Sequence, residues 1–86
     1  MITVTEPPEI DKDGPKPVYV QVAEHIASRI ESGEWQPGRR LPPERELADW
    51  YGVAYDSVRR ATALLREQGR IVTVHGRGTF VAQKQP

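Results

Sequence analysis

A mainly α fold closed by a small β-hairpin, three helices plus a two- to three-stranded antiparallel sheet, is predicted by three observations. Residues 18–32 and 56–67 each place apolar side chains at helical spacing. Between them, Leu41-Pro42-Pro43-Glu44-Arg45-Glu46-Leu47-Ala48 opens a shorter helix that stops at Tyr51-Gly52-Val53. After them, the β-branched run Ile71, Val72, Thr73, Val74 leads into Gly76-Arg77-Gly78-Thr79-Phe80-Val81, a glycine-bracketed turn with an arginine at its tip.

Residues 1–14 hold Pro7, Pro8 and Gly14 among acidic side chains with little apolar periodicity, which predicts a mobile arm without stable structure. In the first helix Tyr19, Val22, Ala23, Ile26 and Ile30 share one face while Glu24 and Glu31 lie opposite, and Gly33 supplies the left-handed stop. Trp35-Gln36-Pro37-Gly38 then reverses the chain, leaving Arg40-Leu41 room for one short strand at the edge of the hairpin. The second helix begins near Pro43, whose fixed φ and missing N–H are harmless in a first turn. Glu44 and Glu46 favour the positive end of its dipole, and Leu47, Ala48 and Tyr51 form its inner face. The third helix, Asp56 to Glu67, buries Val58, Ala61 and Leu65 and exposes Asp56, Arg59, Arg60, Ala63 and Arg66, a largely basic face.

Composition bounds what such a fold can be. Eighty-six residues, 37% of them hydrophobic, make one core, so residues 15–82 form a single domain followed by a short tail, 83–86. The absence of cysteine excludes disulfides and thiolate metal sites and suits a reducing cytoplasm. No apolar run approaches the ~20 residues of a membrane span, and the N-terminus lacks a signal pattern, so a soluble intracellular protein with no membrane partner is expected. Formal net charge is zero, but unevenly distributed: residues 1–14 carry a net −3 and residues 15–86 a net +3. The folded body is modestly cationic.

Helix, helix-turn-helix and hairpin in this order make a winged helix-turn-helix, whose second motif helix enters the major groove of DNA N-terminus first. Pro17-Val18-Tyr19-Val20-Gln21-Val22-Ala23, Gly33-Glu34-Trp35-Gln36-Pro37-Gly38, the Leu41 to Ala48 segment and Phe80-Val81-Ala82 together resemble the DNA-binding domain of the GntR family of bacterial transcription regulators. The resemblance covers most of the chain. It implies sequence-specific binding to a double-stranded operator as a small regulator, a repressor, paired as a homodimer at least on DNA over an inverted repeat. Many members add a larger metabolite-binding domain; only Gln83, Lys84, Gln85 and Pro86 follow the wing here, so no effector site is expected within this chain. Two alternatives stay open: a DNA-binding piece of a longer effector-gated regulator, and a winged helix that binds protein instead.

The resemblance places Arg45 and Arg59 where the family uses arginine on DNA. Arginine suits the task, since its planar fork grips a phosphate or a guanine edge with two hydrogen bonds. Without the motif, both would read as solvated surface arginines. Arg60 and Arg66, farther from the helix start, divide between phosphate contact and solvation.

Family members carry a Ser/Thr, Arg, Thr, Thr run after the turn valine, where this chain has Ala54, Tyr55, Asp56 and Ser57. Ala54 has no capping oxygen, so Asp56, Ser57 or water must meet the first N–H groups. Tyr55 is open to phosphate contact, to packing on a thymine methyl, or to covering the helix start. Asp56 accepts from a cytosine or serves the helix start, and Ser57 binds phosphate or caps. In the wing, Arg77 reaches the minor groove or its phosphates, Gly76 and Gly78 admit close backbone approach, and His75 is a polar contact or a solvated turn residue.

Catalysis has little support. His25 and His75 stand far apart in sequence, no serine, histidine and acid set shares an evident pocket, and neither phosphate-loop nor metal spacing occurs. No enzyme activity, cofactor or metal is expected. Trp35, Trp50, Tyr19 and Phe80 read as packing residues.

Overall fold

Apolar periodicity and glycine stops set the elements of the computed structural model, which describes residues 9–83. They are α1 (Val18–Glu31), α2 (Glu44–Tyr51), α3 (Tyr55–Glu67), β1 (Ile71–Val74) and β2 (Gly78–Val81). Helix α1 buries Val22, Ala23 and Ile26, and the Pro17 carbonyl accepts from the N–H groups of Val20 and Gln21 at its start. Beyond Ser32, Gly33 takes a φ of +86°, where an L side chain would be strained. Trp35 then folds back so that its N–H meets the Arg29 carbonyl and its ring is buried in the core.

Helix α2 begins after Pro43 and ends at Gly52, whose φ of +69° makes the sharp turn into α3. Its Leu47, Ala48 and Tyr51 meet Val58, Ala61 and Leu65 of α3 and the inner face of α1 in one cluster with Leu41, Ile71 and Val81. Helix α3 starts one residue earlier than its apolar pattern, at Tyr55, and also buries a polar residue, Thr62. The Thr62 hydroxyl donates to a Glu44 carboxylate oxygen at 2.5 Å, joining the two motif helices. A hydrogen bond to a charged group contributes about 1.5–3 kcal/mol, and it satisfies the buried polar side chain of Thr62.

The hairpin pairs Ile71 with Val81, Val72 with Phe80, Thr73 with Thr79 and Val74 with Gly78, antiparallel. Ile71 and Val81 anchor it in the core, while Val72 and Val74 are exposed. The sheet is two-stranded: the expected third strand contributes one bridge, Arg40 to Phe80. Pro42 and Pro43 follow at once and offer no N–H to extend the pairing.

Residues 9–14 differ from the structureless arm expected of residues 1–14. The Gln21 side chain accepts from the Asp11 N–H at 2.9 Å and donates to the Asp11 carbonyl at 2.8 Å. Lys12 reaches the Gly52 carbonyl in the helix-turn-helix turn, and Ile10 packs on the core. Residues 1–8 and 84–86 lie outside the described residues.

Candidate nucleic-acid interface

The polar face of α3 is built by the same register that buries Val58, Ala61 and Leu65. Arg59, Ala63 and Arg66 follow at i, i+4 and i+7, so two arginines flank a small residue on the outward side. Arg60 turns toward α1, its guanidinium 4.3 Å from the Tyr19 ring centroid. Glu44, Asp56, Arg59, Arg60, Thr62, Ala63 and Arg66 surround a shallow depression of about 420 Å³.

At the start of α3, the expected cap does not form through a side chain. Ala54 occupies the N-cap, and neither Asp56 nor Ser57 caps it among the described residues. The Asp56 carboxylate instead lies 3.9 Å from Arg59, with both side chains exposed. Such a pair contributes ~0–1 kcal/mol and is easily exchanged for a stronger anion. The Ser57 side chain is half-buried, and its N–H donates to the Ala54 carbonyl. Arg45 extends from α2 across the turn, its guanidinium 4.6 Å from the Tyr55 ring centroid.

His75, Gly76 and Arg77 form the exposed wing turn, closed by the Arg77 N–H on the Val74 carbonyl at 2.9 Å. The wing is tied to α3 by a relay: Arg66 Nε donates to Thr73 Oγ1 at 3.0 Å, and Thr73 and Thr79 share a hydroxyl contact at 3.1 Å. Beside the wing turn, Arg40 covers Gly78, where an added Cβ would come within 2.7 Å of Arg40 Nε. Of the nine sequence-predicted residues, the structure therefore pairs Arg45 with Tyr55 and Asp56 with Arg59, while the wing-tip three stand on their own turn. The Glu44–Thr62 bond and the Arg66 relay were missed, and only the Arg59, Ala63, Arg66 spacing pointed toward the second.

Away from this face, His25 Nδ1 is 2.7 Å from the Tyr51 hydroxyl. Burial, then the Arg29 charge, holds the His25 pKa below its ordinary value, and burial pushes the Tyr51 phenol up. Among the described residues no cluster of three or more His, Cys, Asp or Glu side chains offers a metal site. Among the same residues no helix is long and apolar enough to cross a membrane.

Residues 18–81 match the bacterial regulatory proteins of the gntR family. The chain belongs to the GntR family. This GntR domain is 40% identical over 74 residues to the transcriptional repressor NagR of Bacillus subtilis, covering 86% of this chain and 30% of that protein. It is 38% identical to the histidine utilization repressor of Klebsiella aerogenes over 72 residues, again 30% of the relative. The chain thus spans about 30% of the length of these curated relatives. Among solved structures, YtrA of Sulfolobus acidocaldarius, a GntR-family transcription factor, superposes with a TM-score of 0.81 at 38% identity, covering 90% of this chain and 81% of that one. The DNA-binding domain of AraR, solved in complex with operator ORX1, superposes with a TM-score of 0.79 at 38% identity, covering 90% of this chain and 99% of that one. The winged-helix architecture of the GntR domain is shared with both.

Proposed function

We propose that this chain binds double-stranded DNA sequence-specifically as a transcriptional repressor of the GntR type, with α3 in the major groove and the wing in the minor groove. The observation that carries this is the exposed cationic face: Arg45, Arg59 and Arg66 project from the helix-turn-helix, and Arg77 projects from a wing coupled to it. The AraR domain solved on its operator supports the same use of the fold.

Arg45, Tyr55, Asp56, Ser57 and Arg59 then lie where a recognition helix meets base edges. Arg60 and Arg66 are placed for phosphates, and His75, Gly76 and Arg77 for the minor groove. One winged helix covers few base pairs, so two copies on an inverted repeat supply the affinity of an operator. The working location is the cytoplasm, on the nucleoid. A second reading, in which the domain is the DNA-binding module of a longer effector-gated regulator, is favoured by the share of each relative that it spans.

Titrating a mixed-sequence duplex at several salt concentrations tests the first reading. Log affinity should fall linearly with log salt, with a slope of about 3–5 per protomer from counterion release. Absence of binding at low salt by the folded chain would favour a winged helix that engages protein.

A further inference from the structure

The Arg45–Tyr55 contact joins the two motif helices at the end of α3 that a recognition helix directs at bases. Tyr55 is 38% exposed, and the other exposed large apolar residues, Val72 and Val74, belong to the wing. Its ring is therefore at the surface with the Arg45 guanidinium against its face. Among the described residues no ion pair or side-chain hydrogen bond engages Arg45. Arg59, by contrast, has the Asp56 carboxylate beside it.

These observations lead us to propose that Arg45 and Tyr55 act as one composite base reader, which takes a guanine beside a thymine in the major groove. This rests on the DNA-binding function proposed above and names what that surface discriminates. The ring contact holds the guanidinium in place while no ion pair or side-chain hydrogen bond engages its N–H groups among the described residues, so they can meet guanine O6 and N7 with two hydrogen bonds. Guanidinium carbon and ring centroid lie 4.6 Å apart, near enough for the two groups to meet neighbouring base pairs, which are spaced by about 3.4 Å. An aromatic ring at the second position meets the C5-methyl of thymine, an apolar feature of the major groove that cytosine lacks. Tyr55 is then both the reader of the thymine and the positioning residue for Arg45. The selectivity is carried by a pair bridging α2 and α3, not by the basic face of α3 alone.

The test uses the full chain and a duplex it enriches from a random library. Each thymine is replaced in turn by uracil, which removes only the methyl group, and each guanine by 7-deazaguanine, which removes only the N7 acceptor. The wild-type chain should show one methyl-sensitive thymine adjacent to one N7-sensitive guanine, each replacement weakening binding by about threefold to tenfold. Tyr55→Phe should keep both sensitivities, and Tyr55→Ala should lose the first and blunt the second. Arg45→Ala should lose the guanine sensitivity, with circular dichroism confirming that each variant remains folded. Sensitivities that persist in Tyr55→Ala, a guanine and thymine that are not adjacent, or a uniform loss in Tyr55→Phe from a hydroxyl-to-phosphate contact would each overturn the composite reader while leaving DNA binding intact. Failure of the folded chain to enrich any sequence would instead overturn sequence-specific binding and the reader with it.

Discussion

Arginine stands on two sides of this domain in opposite circumstances. On the α1–α2 side, the Arg29 side chain is only 11% exposed, with its guanidinium 5.1 Å from the Trp35 ring and 4.4 Å from that of Trp50. Glu34 lies 3.5 Å from one Arg29 nitrogen, and His25, Tyr51 and Trp50 close the cluster with tilted and edge-on ring contacts. On the α2–α3 side, Arg59 is 60% exposed beside a loosely held carboxylate, and Arg45 is exposed, touches one ring and has no ion-pair partner among the described residues. The same side chain packs where aromatic faces enclose it and is available to a ligand where it stays exposed to solvent. Residue type alone does not separate the two uses; the neighbours do.

The comparison is broken most severely from the packed side. Trp35→Ala removes a ring that is 3% exposed and takes one face from Arg29, so it should cost about 3–5 kcal/mol by urea denaturation. In so small a domain that loss leaves little folded protein at room temperature. On the open side, Arg59→Ala should leave stability within about 0.5 kcal/mol of wild type, yet weaken binding to a selected duplex by about 1–3 kcal/mol if it reads a base. An unchanged isotherm would remove Arg59 from the interface. Arg77→Ala should act more weakly and without regard to sequence, lowering the slope of log affinity against log salt by about 1.

These contrasts also show how far the residues alone led. Helices α1 and α3, the Gly52 turn and the hairpin follow from local rules of apolar spacing and positive φ, and all lie within one residue of where those rules put them. Thr62 falls on the buried face of α3, at i+4 from Val58, but its polar side chain hid it as a core residue; the carboxylate that satisfies it stands eighteen positions earlier in the chain. The Arg66 relay is set by how the hairpin folds back on α3, and the Arg45–Tyr55 contact by how the Gly52 turn aims one helix at the next. Residues 9–14 lack any periodicity; Asp11 is held by the two-handed amide of Gln21, Lys12 by the Gly52 carbonyl and Ile10 by the core, partners that local spacing does not reveal.

The smallest expected effect sharpens the packed side. His25 titrates below its ordinary value of 6.5 because burial and Arg29 disfavour the imidazolium. As pH falls through about 6.5 the unfolded chain takes up the proton first, so stability declines, and the decline ends below the depressed pKa of the folded state. Urea midpoints measured between pH 7.5 and 5 should show this slope in wild type and a shallower one in His25→Gln. Equal slopes would mean that the cluster does not disfavour the charged ring.

Selection from a random duplex library at near-physiological salt, with the intact chain and with Arg59→Ala as control, tests the assignment of this face to DNA most directly. Enrichment of a short element arranged as an inverted repeat, lost in the variant although it stays folded, is the result predicted. No enriched element from a folded wild-type chain, or the same element enriched equally by both proteins, would contradict it.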